Sequence, residues 1–353
     1  MAGNRETAIK EKDFTLTFCQ VISALAVMIL HTNGCFWVFS ATHPYWVSAN
    51  IIESIFYFAV PVFFMITGIT LADYKDSYST KTFFKKRIGK TFVPYIVWSV
   101  LAVLFMLATG SLKTSDLTPD WLIRSLVRTD NIITYYWFFG ALFVFYLLMP
   151  FIASIKRERK SIVFRYHIIV FFIGNVLIFF ILRLYGVDPL LIDSIDIGLG
   201  NLIFIFLGYY IYKNPPALHT KIFIYILSAL GLMVHMVGTY MLSMNTGHLD
   251  VLFKGYSNFP SILYSLGVFV MLRDIALKIR EVERLRKIIE WLGQYTFAVF
   301  LLHWYIINIT KLIILPNPVS LEYRLFFPVL LYAVIVLITW CLRKIPVIRK
   351  VVP

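Results

Sequence analysis

Charge is scarce in this chain. Only 15% of its 353 residues are Asp, Glu, Lys or Arg, whereas an average soluble domain holds about a quarter. Hydrophobic residues make up 59% and aromatic residues 17%, which excludes an ordinary water-soluble enzyme. Cysteine is scarce as well. Cys19, Cys35 and Cys341 lie in or beside apolar runs without metal or disulfide spacing, so they read as small core residues. No Walker-type glycine loop, zinc-ligand spacing or Gly-Xaa-Ser-Xaa-Gly elbow occurs. The usual signatures of ATP-driven transport and serine hydrolysis are therefore missing, and no metal is expected. Long polar blocks are missing too. The hydrophilic stretches 71–90, 111–132 and 273–290 run to about 20 residues, below the ~50-residue minimum of a folded domain. The chain is expected to form one transmembrane domain over 1–353, with its chemistry inside the bundle or at its edges.

What the sequence does have is apolar length. A hydrocarbon core needs roughly 20 apolar residues to span it. Candidate spans cover 14–37, 47–70, 91–110, 133–155, 162–183, 197–212, 220–243, 257–272, 291–312 and 325–342, and the sixth and eighth are short. The expected fold is all-α, a polytopic helical bundle of about ten transmembrane helices. No small-residue cleavage site follows the first run, so it is expected to stay as a helix.

Orientation follows the basic residues. With the N-terminus inside, one set of segments holds Arg5, Lys10 and Lys12, then Lys75 to Lys90, Lys156 to Arg165, Arg273 to Lys287 and the tail from Arg343. The opposite set keeps few cations, Lys254 and Arg324 among them, and carries Asp188, Asp193 and Asp196. Both termini, 1–13 and 343–353, are thus expected in the cytoplasm. The net charge of +14 then faces anionic lipid, and no nucleic-acid partner is needed.

His31 stands in the first span with no opposite charge near it in sequence. An ionisable group at membrane depth is expensive and by default functional; the structural alternative is a helix-to-helix hydrogen bond. Gln20 lies 11 residues earlier, about three turns, on nearly the same face, with Ser23, Ala24 and Val27 between them. Glu53, six residues into the second span, reaches the same depth as His31, about 9 Å under the outer surface. Two readings fit it: a carboxylate that orients the imidazole, or one that snorkels to the headgroups. His303 is a second histidine at membrane depth that would bind substrate, assist catalysis or tie helices together. His167 and His235 read as packing residues. In the run KTFFKKRIGKTFVPY, Lys86, Arg87 and Lys90 share about one turn, a spacing suited to phosphates, although taken by itself the run is better accounted for by positive-inside charge.

Taken in order, these segments resemble the membrane acyltransferase-3 family, whose best-known members O-acetylate bacterial surface polysaccharides. QVISALAVMILH resembles the first-helix motif of an Arg, ten mainly apolar residues and an essential His; AVPVFFMITG, FFKKRIGKTFVPYIVW, YYWFFGALFVFYLLMP, FLGYYIY and LGQYTFAVFLLHW follow in family order. Gln20 stands where the family has Arg, Lys90 where an Arg-Xaa-Xaa-Arg pair ends, and Trp304 where Pro follows the later His. The resemblance implies an enzyme of the bacterial cytoplasmic membrane. Its donor is acetyl-CoA or another acyl-CoA, and its acceptor is a sugar hydroxyl on a surface or lipid-linked polysaccharide. Lys86, Arg87 and Lys90 would hold the cofactor phosphates, Gln20 and His303 would contact substrate, and His31 would be general base or acyl relay, with Glu53 orienting it. The reading from another class is a small-solute transporter, to which a buried His–Glu pair is equally suited; a non-catalytic component of the same fold is the third.

Overall fold

The computed structural model describes residues 13–186 and 199–352. The expected charges Arg5, Lys10, Lys12, Asp188, Asp193 and Asp196 lie outside the described residues. Every regular element among those described is helical: α1 Phe14–Thr32, α2 Tyr45–Phe56, α3 Ala59–Leu71, α4 Thr80–Arg87, α5 Val93–Ala108, α6 Pro119–Val127, α7 Trp137–Ile152, α8 Arg157–Phe171, α9 Phe179–Leu184, α10 Leu202–Lys213, α11 Leu218–Thr246, α12 Phe259–Ile279, α13 Glu283–Leu292, α14 Thr296–Ile314 and α15 Phe327–Leu342.

Among the described residues, eight helical stretches are long and apolar enough to cross a bilayer, where about ten were expected. The difference falls on the two shortest expected spans. Helix α10 has 12 described residues, about 18 Å of rise against a ~30 Å core. Helix α12 is 21 residues long but carries Arg273, Asp274 and Lys278 in its last turns.

Proline explains most of the irregularities. Pro61 cannot donate to the Tyr57 carbonyl, and the chain breaks at Tyr57–Phe58 between α2 and α3. Pro94 follows a π-helical segment, Ile88–Phe92, that joins α4 to α5, so the basic run continues as helix. Pro328 follows a second π segment, Glu322–Phe326, and leaves the Arg324 carbonyl without its helical donor. The Thr32 hydroxyl at the end of α1 supplies one instead, at 3.3 Å.

Helix α1 is the axis. Asp13 caps it by accepting from Thr15 N at 2.8 Å, and it packs against α3, α12, α13, α14 and α15. Of its apolar window 78% is buried, whereas the span containing α8 buries 12% and faces outward. Beside it, α3 and α10 cross at Gly68 and Gly208, where a Cβ on either residue would overlap the other helix's backbone. Small residues let these backbones touch, the usual solution where lipid removes the hydrophobic driving force between helices.

Candidate functional site

Because α1 runs the length of the core, its stripe from Gln20 to His31 joins two places about 16 Å apart. At the end holding the basic α4 segment, a cavity of about 530 Å³ is lined by Gln20, Arg87, Lys90, Tyr146, Gln294 and Phe300, among others. The Arg87 guanidinium lies 5.6 Å from both the Phe83 and Tyr146 ring centres. Its Nε is buried and makes no hydrogen bond among the described residues. A cation on aromatic faces with a free donor is poised for an anion. Lys86 turns away. Its ammonium sits 3.9 Å over the Tyr78 ring and does not line the cavity.

At the other end of the stripe, His31 stacks on Tyr135 with ring centres 3.5 Å apart and on His303 at 4.9 Å. Tyr135 comes from the turn Thr134–Tyr136 that opens α7, and His303 from the middle of fully buried α14 surface. His303 Nδ1 lies 2.7 Å from the Phe300 carbonyl. A carbonyl only accepts, so Nδ1 carries the proton, and the buried Nε2 presents its lone pair with no partner among the described residues. Phe300 also lines the cavity, one helical turn away. The Phe300 ring centre lies 5.7 Å from that of His303, so this side chain stands between the cavity and the histidine pair.

Glu53 occupies a separate polar cluster next to this pair. It is 4% exposed, so the snorkelling reading does not hold. It accepts from Asn33 Nδ2 at 3.2 Å, and Asn33 sits two residues beyond His31. The structure brings His31 to His303 and Tyr135, and Glu53 to Asn33. Asn33 Oδ1 accepts in turn from Arg324, 1% exposed, whose Nη2 donates to Ser48 Oγ at 2.8 Å and Val319 O at 2.9 Å. On the far side Lys254 is buried, with its ammonium 3.0 Å from His235 Nε2 and between the Phe36 and Tyr57 rings. Burial pushes the Lys254 pKa down to about 8, opposed by the Glu53 charge. His235 thus has a polar partner and is more than packing.

Sequence reasoning missed Tyr135, Arg324 and Lys254. The last two were counted as ordinary outer cations. The available signal was that each stands alone among apolar and aromatic neighbours, in EYRLFFP and VLFKGY. No group of His, Cys, Asp and Glu among the described residues has the geometry of a metal site.

A family model described as an acyltransferase domain matches residues 15–343. No curated protein and no solved structure matches.

Proposed function

The chain belongs to the membrane acyltransferase-3 family, and from that membership and the cavity that Phe300 separates from the histidine pair we propose an O-acyltransferase that takes its acyl group from acyl-CoA. The carrying observation is the single stripe on α1 that connects a cationic cavity to His31. Arg87 and Lys90 hold the cofactor phosphates, with Gln20 beside them. The basic end faces the cytoplasm, where acyl-CoA is made, and the thioester arm extends past Phe300 toward His31 and His303. Acetyl is the favoured acyl group and a hydroxyl of a surface or lipid-linked polysaccharide the favoured acceptor, in the inner membrane of a bacterium.

In the direct route, His31 takes the hydroxyl proton, the oxygen attacks the thioester carbon, the C–S bond breaks and the CoA thiolate recovers a proton. In the relay route, an imidazole nitrogen attacks the thioester first, CoA leaves, and the acceptor hydroxyl then displaces the histidine. Stacking on Tyr135 fixes the His31 ring in either route, and the His303 Nε2 lone pair is a second base within the stack. Glu53, through Asn33, sets the local field and positions the end of α1.

The test is acetyl-CoA binding by the protein in detergent, wild type against Arg87→Ala. Loss of a bidentate, cation-to-phosphate contact should weaken binding at least tenfold. Equal binding by both proteins removes Arg87 from the site. Absence of binding by folded wild type, with solute uptake in vesicles, favours the transporter reading.

A further inference from the structure

A second concavity opens on the outer surface of the bundle, between α1, α13 and α15. It has about the same volume, 530 Å³, and is lined by Val21, Leu25, Trp291, Leu292, Val329 and Trp340, among other apolar side chains. From Val329 to Trp340 along α15 it extends about 16 Å. Half of a ~30 Å hydrocarbon core is about 15 Å, so the groove has the length of one leaflet. Its foot is charged. The Lys344 ammonium rests 3.5 Å over the Trp340 ring, and Arg349 and Lys350 follow in the tail. None of the three has an ion-pair partner among the described residues. Arg343 is already committed, donating to the carbonyls of Gln294 and Val352 at 2.8 and 3.1 Å.

We propose that this groove holds one acyl chain of an anionic phospholipid from the leaflet at the basic end, with the lipid phosphate against Lys344. An apolar trench of one-leaflet length with a tryptophan-borne cation at its mouth matches both parts of such a lipid. Trp291 and Leu292 face the groove, while the next two residues, Gly293 and Gln294, line the donor cavity. The bound lipid therefore braces the turn that walls the donor cavity. That consequence rests on the acyl-CoA reading; occupancy of the groove does not.

The full chain, delipidated in mild detergent, is incubated with phosphatidylglycerol, phosphatidylcholine of the same chains, or glycerol phosphate alone, and retained lipid is counted by native mass spectrometry. The expected result is one phosphatidylglycerol per protein, retention of phosphatidylcholine about fivefold lower, and no glycerol phosphate. Lys344→Gln should bring phosphatidylglycerol down to the phosphatidylcholine level. Ala333→Trp, on the exposed side of α15 within the groove, should reduce both. Equal retention of the two lipids, or undiminished retention by Ala333→Trp, overturns the proposal, as does binding of glycerol phosphate alone. Acetyl-CoA binding measured on the same samples separates the two readings. If it is absent while lipid is retained, the donor site fails and the lipid site stands.

Discussion

Replacing Arg324 with Met should loosen the end of α1 that carries the site. Arg324 is 1% exposed; its Nη2 donates two short bonds, to Ser48 Oγ and Val319 O, and its Nη1 two longer ones, to Asn33 Oδ1 and the Tyr45 carbonyl. Hydrogen bonds from a charged donor contribute about 1.5–3 kcal/mol each, so the two short ones amount to ~3–6 kcal/mol. Removing a buried cation also relieves a desolvation cost of several kcal/mol. The difference is a net destabilisation of about 2 kcal/mol, which corresponds to a melting temperature lower by about 3 °C in a chain of this size. Thermal unfolding in detergent reads it. Arg324→Lys keeps the charge without the planar fork and should recover less than half the loss. Exposed Arg128, paired with Asp130 at the surface, serves as control, and Arg128→Ala should move the midpoint by under about 1 °C. If Arg324→Met melts with wild type, the buried network does not hold α1 and the reasoning is wrong.

Other expectations are equally direct. Gly208→Val places side-chain atoms inside the α3 backbone and should cost about 3 kcal/mol or abolish the folded protein, whereas Gly89→Ala, with open space around it, should change stability by under ~0.5 kcal/mol; melting curves distinguish them. Lys254 has its pKa lowered from 10.5 to about 8, so between those values the unfolded chain still holds a proton that the folded protein has released. Stability contributed by this group therefore rises with pH across that window. The wild-type minus Lys254→Met difference in midpoint should shift in favour of wild type from pH 8 to pH 10, and a constant difference would contradict the assignment.

Much of this was legible from residue spacing. The 11-residue interval from Gln20 to His31 returns to one helix face whatever else the chain does, so the stripe on α1 needed no tertiary information. The basic run KTFFKKRIGKTFVPY placed Arg87 and Lys90 at one end for the same reason, but Lys86 projects from another face and stacks on Tyr78. Partners on separate helices were harder. Equal depth made His31 and Glu53 possible neighbours, yet depth leaves rotation about the helix axis free. The rotation adopted turns His31 to α14 and hands Glu53 to Asn33. The burial of Arg324 and Lys254 was hidden because a charge count assigns cations to sides of a membrane and is blind to which of them fold inward. The two spans that the described helices do not supply, 197–212 and 257–272, are the shortest: the first reaches residues outside those described, and the second lies in a helix whose last turns carry Arg273, Asp274 and Lys278.

The most direct test follows labelled acetyl from acetyl-CoA to a polysaccharide hydroxyl in proteoliposomes, comparing wild type with His31→Ala. The stack on Tyr135 and His303, across Phe300 from the Arg87 cavity, predicts transfer by wild type and a loss of at least about 100-fold in the variant, with acetyl-CoA still bound. Transfer at the wild-type rate by a correctly inserted His31→Ala protein would contradict the account.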